Sequence, residues 1–599
     1  MVFRIKRIIF DEIHCIGQAD DGVVWEQILL LAPCPIIALS ATVGNPKEFN
    51  NWLRITQQSN GHELELVEHK ARWSDLRKFE FHPPHNFTFN GFSKTNGLGA
   101  LGLDASRHMA FIHPVTSLID KSRGIPDDLT LEPRDCLSLW KAMDKYQTVE
   151  FTLDPSLDPA VSLPTVISKA DIIEWETKLK AVLKEWMAKI ESPFDAVLSE
   201  LSTQVPPAEA SHDKNQKPGL SREVKQGSIL STTLPLICAL HDQGALPALI
   251  FNYDRRKCEQ ICERIIGELQ QAEDNWKSTS TVWAEKVAKW EAWKESQQKL
   301  VKAKPPKKTK RRTTDIDEHI SKDEQAREEA SADSSPFASF NPKAPLARFS
   351  LADERKLLYS EFGVLAEELK SRLVPSWLIG ALRRGVGVHH AGMNRKYRQV
   401  CEMLFRKGYL RVVIATGTLA LGINMPCKTV VFAGDSVYLT ALGFRQAAGR
   451  AGRRGFDVLG NVVFQNVSHA KVCRLLSSKL PDLNGHFPIT TSLVLRLFIL
   501  LHQSKQAPFA VNAINSILSC PRIYLGGPES KHTVLHHLRF SIEYLRRNYL
   551  LDEVGAPLNF AGTICHLYYT ENSSFAFHAL LSGGYFIVSA KISRKTQKV

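Results

Sequence analysis

A chain of 599 residues is long enough for about three or four domains at ~100–200 residues each, and with 44% apolar and 9% aromatic residues it can bury large cores, which excludes a mainly disordered protein. Its 76 basic against 63 acidic residues leave a net charge of +13, a surplus that favours polyanions such as nucleic acid as partners. The 11 cysteines are scattered and odd in number, which argues against a disulfide framework and for a reducing compartment.

The chain opens on "MVFRIKRIIFDEIH", basic at Arg4, Lys6 and Arg7 but without an apolar run long enough for a signal peptide. From residue 1 to about 80 the sequence alternates short apolar runs with helical stretches. "RIIF" and "CPIIALS" have the character of strands buried on both faces. "NPKEFNNWL" follows as a helix, with Asn45 as a cap and Pro46 in its first turn. This is the pattern of an α/β domain built on a parallel sheet.

The texture changes between 81 and 227, which reads as an insertion. It contains "ADIIEWETKLKAVLKEWMAKI", a helix whose Ile172, Trp175, Leu179, Val182, Leu183 and Trp186 form one apolar face, expected to serve packing. Strand-then-helix order resumes over 228–268. Cys258 and Cys262 stand four apart there on a helix, with no second Cys or His pair nearby to complete a zinc site. Residues 269–344 read as a charged linker, a helix followed by disorder. Its basic run from Lys302 to Arg312 suits a nuclear signal or an RNA tether, and a solvated linker as well as those two together.

Residues 345–470 return to α/β, with "LRVVIAT", "KTVVFAG" and "GNVVFQN" as buried strands. Beyond 485, to about 580, two apolar helices suggest a helix-rich, winged-helix-like end module. In the second of them Leu535, Leu538, Ile542, Leu545 and Tyr549 share a face. The most apolar window of the chain, "SLVLRLFILLH", is broken by Arg496 and falls short of the ~20 residues of a membrane span, so a soluble intracellular protein with no membrane contact is expected.

Four motifs carry chemistry. Asp11-Glu12-x-His14 closes an apolar strand, and the carboxyl edge of such a strand is where open α/β sheets place their ligands. An aspartate there can hold magnesium through water, and a neighbouring glutamate can orient or deprotonate an attacking water in phosphoryl transfer. About thirty residues on, Ser40-Ala41-Thr42 ends the next strand, placing small hydroxyls where they can hydrogen-bond to the acidic motif. Much later come "RVVIATGTLALGINMP" and "FRQAAGRAGRRG". In the last, Gln446, Arg450 and Arg453 sit at spacings that would aim the two guanidinium groups from a strand-helix turn. Arginine offers a planar fork to phosphate oxygens and keeps its proton.

In this order, "DEIH", "SAT", "HHAG", "ATGTLALGINMP" and "QAAGRAGRRG" resemble the superkiller-type, DExH-box RNA helicases of helicase superfamily two. "HKARWSDLRKFEF" and "GTLALGINMPCKTVVF" are most similar to the antiviral, interferon-induced branch of that group. The resemblance covers about 1–80, 228–268 and 345–580. It implies tandem RecA-like P-loop NTPase domains with ATP and Mg2+ in the cleft, RNA across the top (single-stranded or a duplex with an overhang), and a winged helix after them. It implies that Asp11 holds the magnesium, Glu12 activates water, and His14 and Gln446 couple the domains. Ser40 and Thr42 would link the ATP state to the grip on RNA. Thr416 and His390 would meet RNA, Gly422 and Asn424 would approach the nucleotide, and Arg450 and Arg453 would be arginine fingers.

The sequence also departs from the pattern. A phosphate loop needs G-x-x-x-x-G-K-[ST], and no Gly-Lys pair occurs in these 599 residues. The first RecA-like domain is therefore expected to be incomplete and the chain N-terminally truncated. Gly417 stands where many relatives carry an acidic residue. The resulting expectation is an ATP-dependent RNA helicase by lineage, with a catalytically inactive RNA- or partner-binding module as the alternative. A protein partner is expected on the 81–227 insertion, and cytoplasmic residence is expected, with the nucleus as the alternative.

Overall fold

The computed structural model describes residues 5–17, 22–32, 34–59, 61–69, 72–93, 102–203, 228–303, 340–420, 425, 427–483, 485, 489–519, 530–567 and 571–589. Contacts divide the chain into two units, one formed by residues 1–70 with 479–599 and the other by residues 71–478.

In the first unit, β1 (Ile8–Phe10) lies parallel to β2 (Ile36–Ala38), with Ile8 opposite Ile36 and Phe10 opposite Ala38. Helices Gly22–Leu30 and Pro46–Ser59 supply Leu29, Leu30, Phe49, Trp52 and Leu53 to a core shared with Phe10, Ile13 and Ile16. Pro46 opens its helix as expected, where a missing N–H costs nothing. Asn45 does not cap it through its side-chain oxygen. That oxygen accepts from the Leu483 amide at 2.7 Å and ties the later segment to the earlier one. Burial on both faces of these strands is not what the structure has. Ile9 and Ile37 point away from the core and are 64% and 40% exposed, because no described element packs on that side.

The later part of the same unit is helical, over Thr491–Gln503, Pro508–Ser519, Ser530–Arg547, Ala561–His566 and Glu571–Ser582. An antiparallel bridge between Leu551 and Pro557 forms a small wing. Gly555 turns it at φ +84°, and a side chain there would meet the Phe498 ring at 2.6 Å. The buried stripe of Ser530–Arg547 runs through Val534, Leu538, Ile542 and Leu545. Leu535 and Tyr549, expected on that face, are 48% and 73% exposed. Packing against the first helix of the module fixes the rotation, which periodicity alone left one residue out of phase.

The second unit is built on a seven-stranded sheet. Its strands are β3 (Asp75–Phe81), β4 (Met109–Ile112), β5 (Ala248–Phe251), β6 (Val386–His389), β7 (Val412–Ala415), β8 (Thr429–Ala433) and β9 (Leu459–Gln465), in the spatial order β4-β3-β9-β8-β5-β7-β6. All neighbours are parallel except β4, which runs antiparallel to β3 at one edge. Every residue of β5 to β9 is buried, the reading given for strands covered on both faces. β3 pairs with β9 through Asp75–Glu80, so the division between units falls between residues 70 and 71 and not at residue 80.

Within the insertion, the helix Lys169–Ala188 buries Ile172, Trp175, Leu179, Leu183 and Trp186, with Val182 half-buried, as its periodicity predicts. Together with Pro133–Tyr146 and Phe194–Thr203 it encloses a core separate from that of the sheet. The stretch read as a charged linker begins in helix: Arg255–Thr279 continues past 269 and Thr281–Ala303 follows it. Residues 304–339, with most of the basic run and of the disorder expected after the helix, lie outside the described residues, while 340–344 are described and form a turn closed by the Ala344 amide on Asn341 O at 3.0 Å. Cys258 and Cys262 are fully buried on the inner face of Arg255–Thr279, and burial pushes the Cys258 thiol up to about 12. Among the described residues, no helix is long and apolar enough to cross a membrane.

Candidate functional site

The acidic motif grows out of β1. The Leu39 amide donates to Phe10 O at 2.8 Å and the Ile13 amide to Leu39 O at 2.9 Å, so the two chains stay paired as they leave the sheet. Asp11 is exposed at the strand's carboxyl end, one of its oxygens accepting from the Glu12 amide at 3.0 Å. Glu12 takes φ +53°, a conformation that favours glycine and costs a non-glycine residue about 1–3 kcal/mol. The tight turn brings His14 back under the motif. His14 is buried, its Nδ1 3.0 Å from Ser40 Oγ and 3.4 Å from Glu12 Oε2. Burial holds its pKa below the usual value, against the pull of Glu12. Ser40 Oγ also accepts from the Thr42 amide at 3.4 Å. The structure therefore brings Asp11, Glu12, His14, Ser40 and Thr42 together, and the hydroxyl-to-acid link read from the sequence runs through His14.

In the second unit, β5, β7 and β6 lie side by side and end together. Their carboxyl ends lead into Asn252, Thr416 and His390. Thr416 Oγ1 is 3.0 Å from Thr418 Oγ1, and the Thr416 amide donates to His389 O at 3.2 Å. Two helices start at this edge, Arg255–Thr279 capped by Asp254 and Arg395–Lys407 capped by Asn394, so two positive helix ends gather there. Arg255, Arg256, Lys257 and Arg395 are exposed beside them. His390 does not reach solvent. It is buried, with Nε2 2.9 Å from Glu259 and Nδ1 accepting from the Gly392 amide at 3.2 Å, so its ring shapes the loop.

His389 is buried too, its Nε2 2.8 Å from Glu402, and burial lowers its pKa against the pull of that carboxylate. Its folded pKa therefore lies below an unfolded value near 6.5. As pH falls through 6.5 the unfolded chain takes up the proton first, so stability is unaffected above that pH and declines below it. Thermal unfolding followed from pH 7.5 to 5.5 should give a falling midpoint that is flatter in His389→Gln. An identical slope in both proteins would exclude His389 as a source.

The arginine motif occupies the end of helix Ala441–Ala448 and the turn beyond it, with Thr440 capping the helix by accepting from the Gly443 amide at 3.1 Å. Gln446 and Arg450 are half-buried. Arg453 is held in a two-pronged pair with Asp457, Nε at 2.7 Å and Nη2 at 2.9 Å. Burial raises the Asp457 carboxyl, but the Arg453 bonds outweigh it and hold it below its ordinary value. Gly452 turns between the two arginines at φ +84°, where a Cβ would lie 2.5 Å from that of Ser74. Gly417 has a local reason as well, since a side chain there would meet the Tyr253 ring at 2.9 Å. Gly422 and Asn424 lie outside the described residues.

Sequence reasoning missed Arg445 and Arg72. Arg445 forks onto Asp128 and donates to Leu475 O at 3.0 Å and Ser478 O at 2.6 Å. Arg72 donates to Gly449 O at 3.3 Å and Ala451 O at 3.0 Å. Arg445 adjoins Gln446 in the motif, the one signal that could have drawn attention to it.

Residues 354–455 match the helicase conserved C-terminal domain, and residues 483–565 match the DDX60-like winged helix domain. These matches and the ordered motifs make the chain a relative of the superkiller-type DExH-box helicases. It is 31% identical over 97% of its length to an uncharacterized helicase of Caenorhabditis elegans and 29% identical over 98% to the human "Probable ATP-dependent RNA helicase DDX60-like". It is also 32% identical over 25% of its length to the human "Exosome RNA helicase MTR4". The chain spans 34% of the length of each of the first two relatives.

Proposed function

We propose that this chain is the acidic-motif, second-lobe and winged-helix portion of an ATP-dependent RNA helicase of the DExH type, which couples ATP hydrolysis to movement along RNA. The observation that carries the reading is that each motif, in order, sits where a parallel strand or a helix ends, with its charged groups exposed or half-buried and held from beneath. Asp11 fits a magnesium ion, since one of its oxygens is spent on its own turn and the other is left for a water of the ion's shell. The ion would neutralise phosphate charge, and Glu12 beside it would take the proton of the attacking water.

On this reading His14, Ser40 and Thr42 transmit the state of the acidic motif, and Gln446 couples to it. Arg450 and Arg453 meet phosphate oxygens, Gly422 and Asn424 approach the nucleotide, and Thr416 with the amides around Gly392 meets the RNA backbone. The insertion is a surface for a protein partner, and residence is cytoplasmic.

One observation favours a binding role for this polypeptide when alone, namely that its sequence holds no Gly-Lys pair to cradle phosphates. The purified chain should therefore bind single-stranded RNA, seen as a rise in fluorescence anisotropy. Its RNA-stimulated ATP turnover should not exceed that of Glu12→Gln. Turnover that disappears in Glu12→Gln would mean another segment cradles the phosphates. An absence of RNA binding at low salt would overturn the RNA reading itself.

A further inference from the structure

The insertion reaches the arginine motif from two sides. From one side comes the loop ahead of its first long helix, where both carboxylate oxygens of Asp128 accept from Arg445. Arg445 is only 12% exposed, and its remaining donors go to the carbonyls of Leu475 and Ser478, so it joins three segments of chain. From the other side comes Lys169, the first residue of helix Lys169–Ala188. Its amine donates to the carbonyl of Arg72 and, at 2.9 Å, to Asp75 Oδ1. The Arg72 side chain continues inward to Gly449 O and Ala451 O, the two carbonyls that bracket Arg450. Ser74, between Arg72 and Asp75, donates from Oγ to Asp457 O at 2.5 Å, and Asp457 is the residue that holds Arg453.

We propose that the insertion is a clamp on the arginine turn, with Arg445, Arg72 and Lys169 as positioning residues that fix where Arg450 and Arg453 point. Single exposed ion pairs contribute little to stability, and the Lys169–Asp75 pair is partly exposed. The clamp acts on geometry. An arginine that meets phosphate oxygens must be placed to within a fraction of an ångström, and a displacement of about 1 Å can cost ~100-fold in rate. A clamp of this kind also gives a partner seated on the insertion a route to the arginines, through side chains already in contact.

The alternative is that these contacts merely attach the insertion. The two accounts differ in what loosens when the contacts are cut. The insertion has its own core around Trp175, Leu179, Leu183 and Phe194, so it stays folded when Asp128 or Lys169 is changed. The turn is protected by bonds whose amides can be followed: Gly452 N to Cys427 O at 2.8 Å, Arg453 N to Asp457 Oδ2 at 3.0 Å and Asp457 N to Arg453 O at 2.9 Å.

The test is amide hydrogen exchange on the full chain carrying Asp128→Asn with Lys169→Met. Lys145→Met, which removes a pair inside the insertion, is the control. Exchange of residues 446–457 should rise by about tenfold or more while residues 169–188 keep the protection of the control. The charge-preserving pair Asp128→Glu with Lys169→Arg should restore it. Unchanged exchange over 446–457 would overturn the clamp. Equal loosening of 446–457 and 169–188 would also overturn it, since that is the signature of simple attachment. Neither outcome bears on ATP or RNA, so the clamp and the helicase reading can fail separately.

Discussion

Arg77→Met is expected to destabilise the second unit by about 3–5 kcal/mol, the usual cost of removing one partner of a buried ion pair. Arg77 leaves β3 toward the insertion and is paired with Glu132, the two side chains being 6% and 3% exposed. It also donates to Asp104 Oδ1 at 2.9 Å and lies 3.9 Å above the Phe111 ring. Methionine would keep much of the apolar stem and lose the charge. Glu132 would then be left buried with Arg134 as its remaining cation, 3.1 Å away and itself half-exposed. Arg77 is not there because ion pairing stabilises cheaply, and burial already pulls its pKa down against the nearby carboxylates. A double variant, Arg77→Met with Glu132→Leu, should therefore recover most of the loss, since two apolar groups leave no orphaned charge. Chemical denaturation of the wild type, the two single variants and the double variant gives the coupling energy. A single-variant loss under about 1 kcal/mol would mean that water reaches the pair and that it does not join insertion to sheet.

The same strand marks where sequence reading stopped. "SDLRKFEF" falls within residues 1 to about 80, which read as one α/β stretch belonging to the first RecA-like domain. Its partner is β9, whose residues lie more than 380 positions away, and nothing local encodes that pairing. The charged residues on it are not on a solvated face. Arg77 and Lys78 are buried against the insertion, and burial pushes Lys78 down to about 8. By contrast, β7, β8 and β9 were legible because each is a short apolar run covered on both sides, a property of the run itself. The motifs were legible for a related reason. They mark the points where strands stop and backbone groups become free, so their letters and their places are tied. What holds the motifs was not legible. Asp128 and Arg445 are 317 residues apart, and Arg72 acts on carbonyl oxygens, which carry no residue identity. The surroundings of His390 were hidden for a related reason. A histidine in a motif suggested contact with a ligand, and the partner that takes its ring, Glu259, lies 131 residues earlier on the helix Arg255–Thr279.

RNA affinity should fall by about 10³–10⁵ between 50 and 200 mM salt if about 6–10 phosphates are contacted. The reasoning starts from the +13 surplus and from where part of it is displayed. At the carboxyl edge of β5, β7 and β6 the exposed Arg255, Arg256, Lys257 and Arg395 stand beside the amino ends of two helices, and the side chains of Thr416 and Thr418 are close by. Among the described residues, the two histidines at this edge are turned inward onto Glu402 and Glu259. Contacts made by such an edge are to phosphate and release counterions, so affinity depends on salt and hardly on sequence. Each phosphate contact removed should reduce the slope of log affinity against log salt by about 1. Arg255→Ala and Arg395→Ala are thus expected to flatten the line by about one unit each, and to do so equally for RNAs of different sequence. A change at Glu543, which pairs with Arg547 on the surface of the winged-helix-like module, should leave the slope as it is, provided the edge of the sheet carries the binding. Equal slopes for wild type, Arg255→Ala and Arg395→Ala would move the RNA path away from this edge. An affinity that ignored salt altogether would remove phosphate contact as its basis.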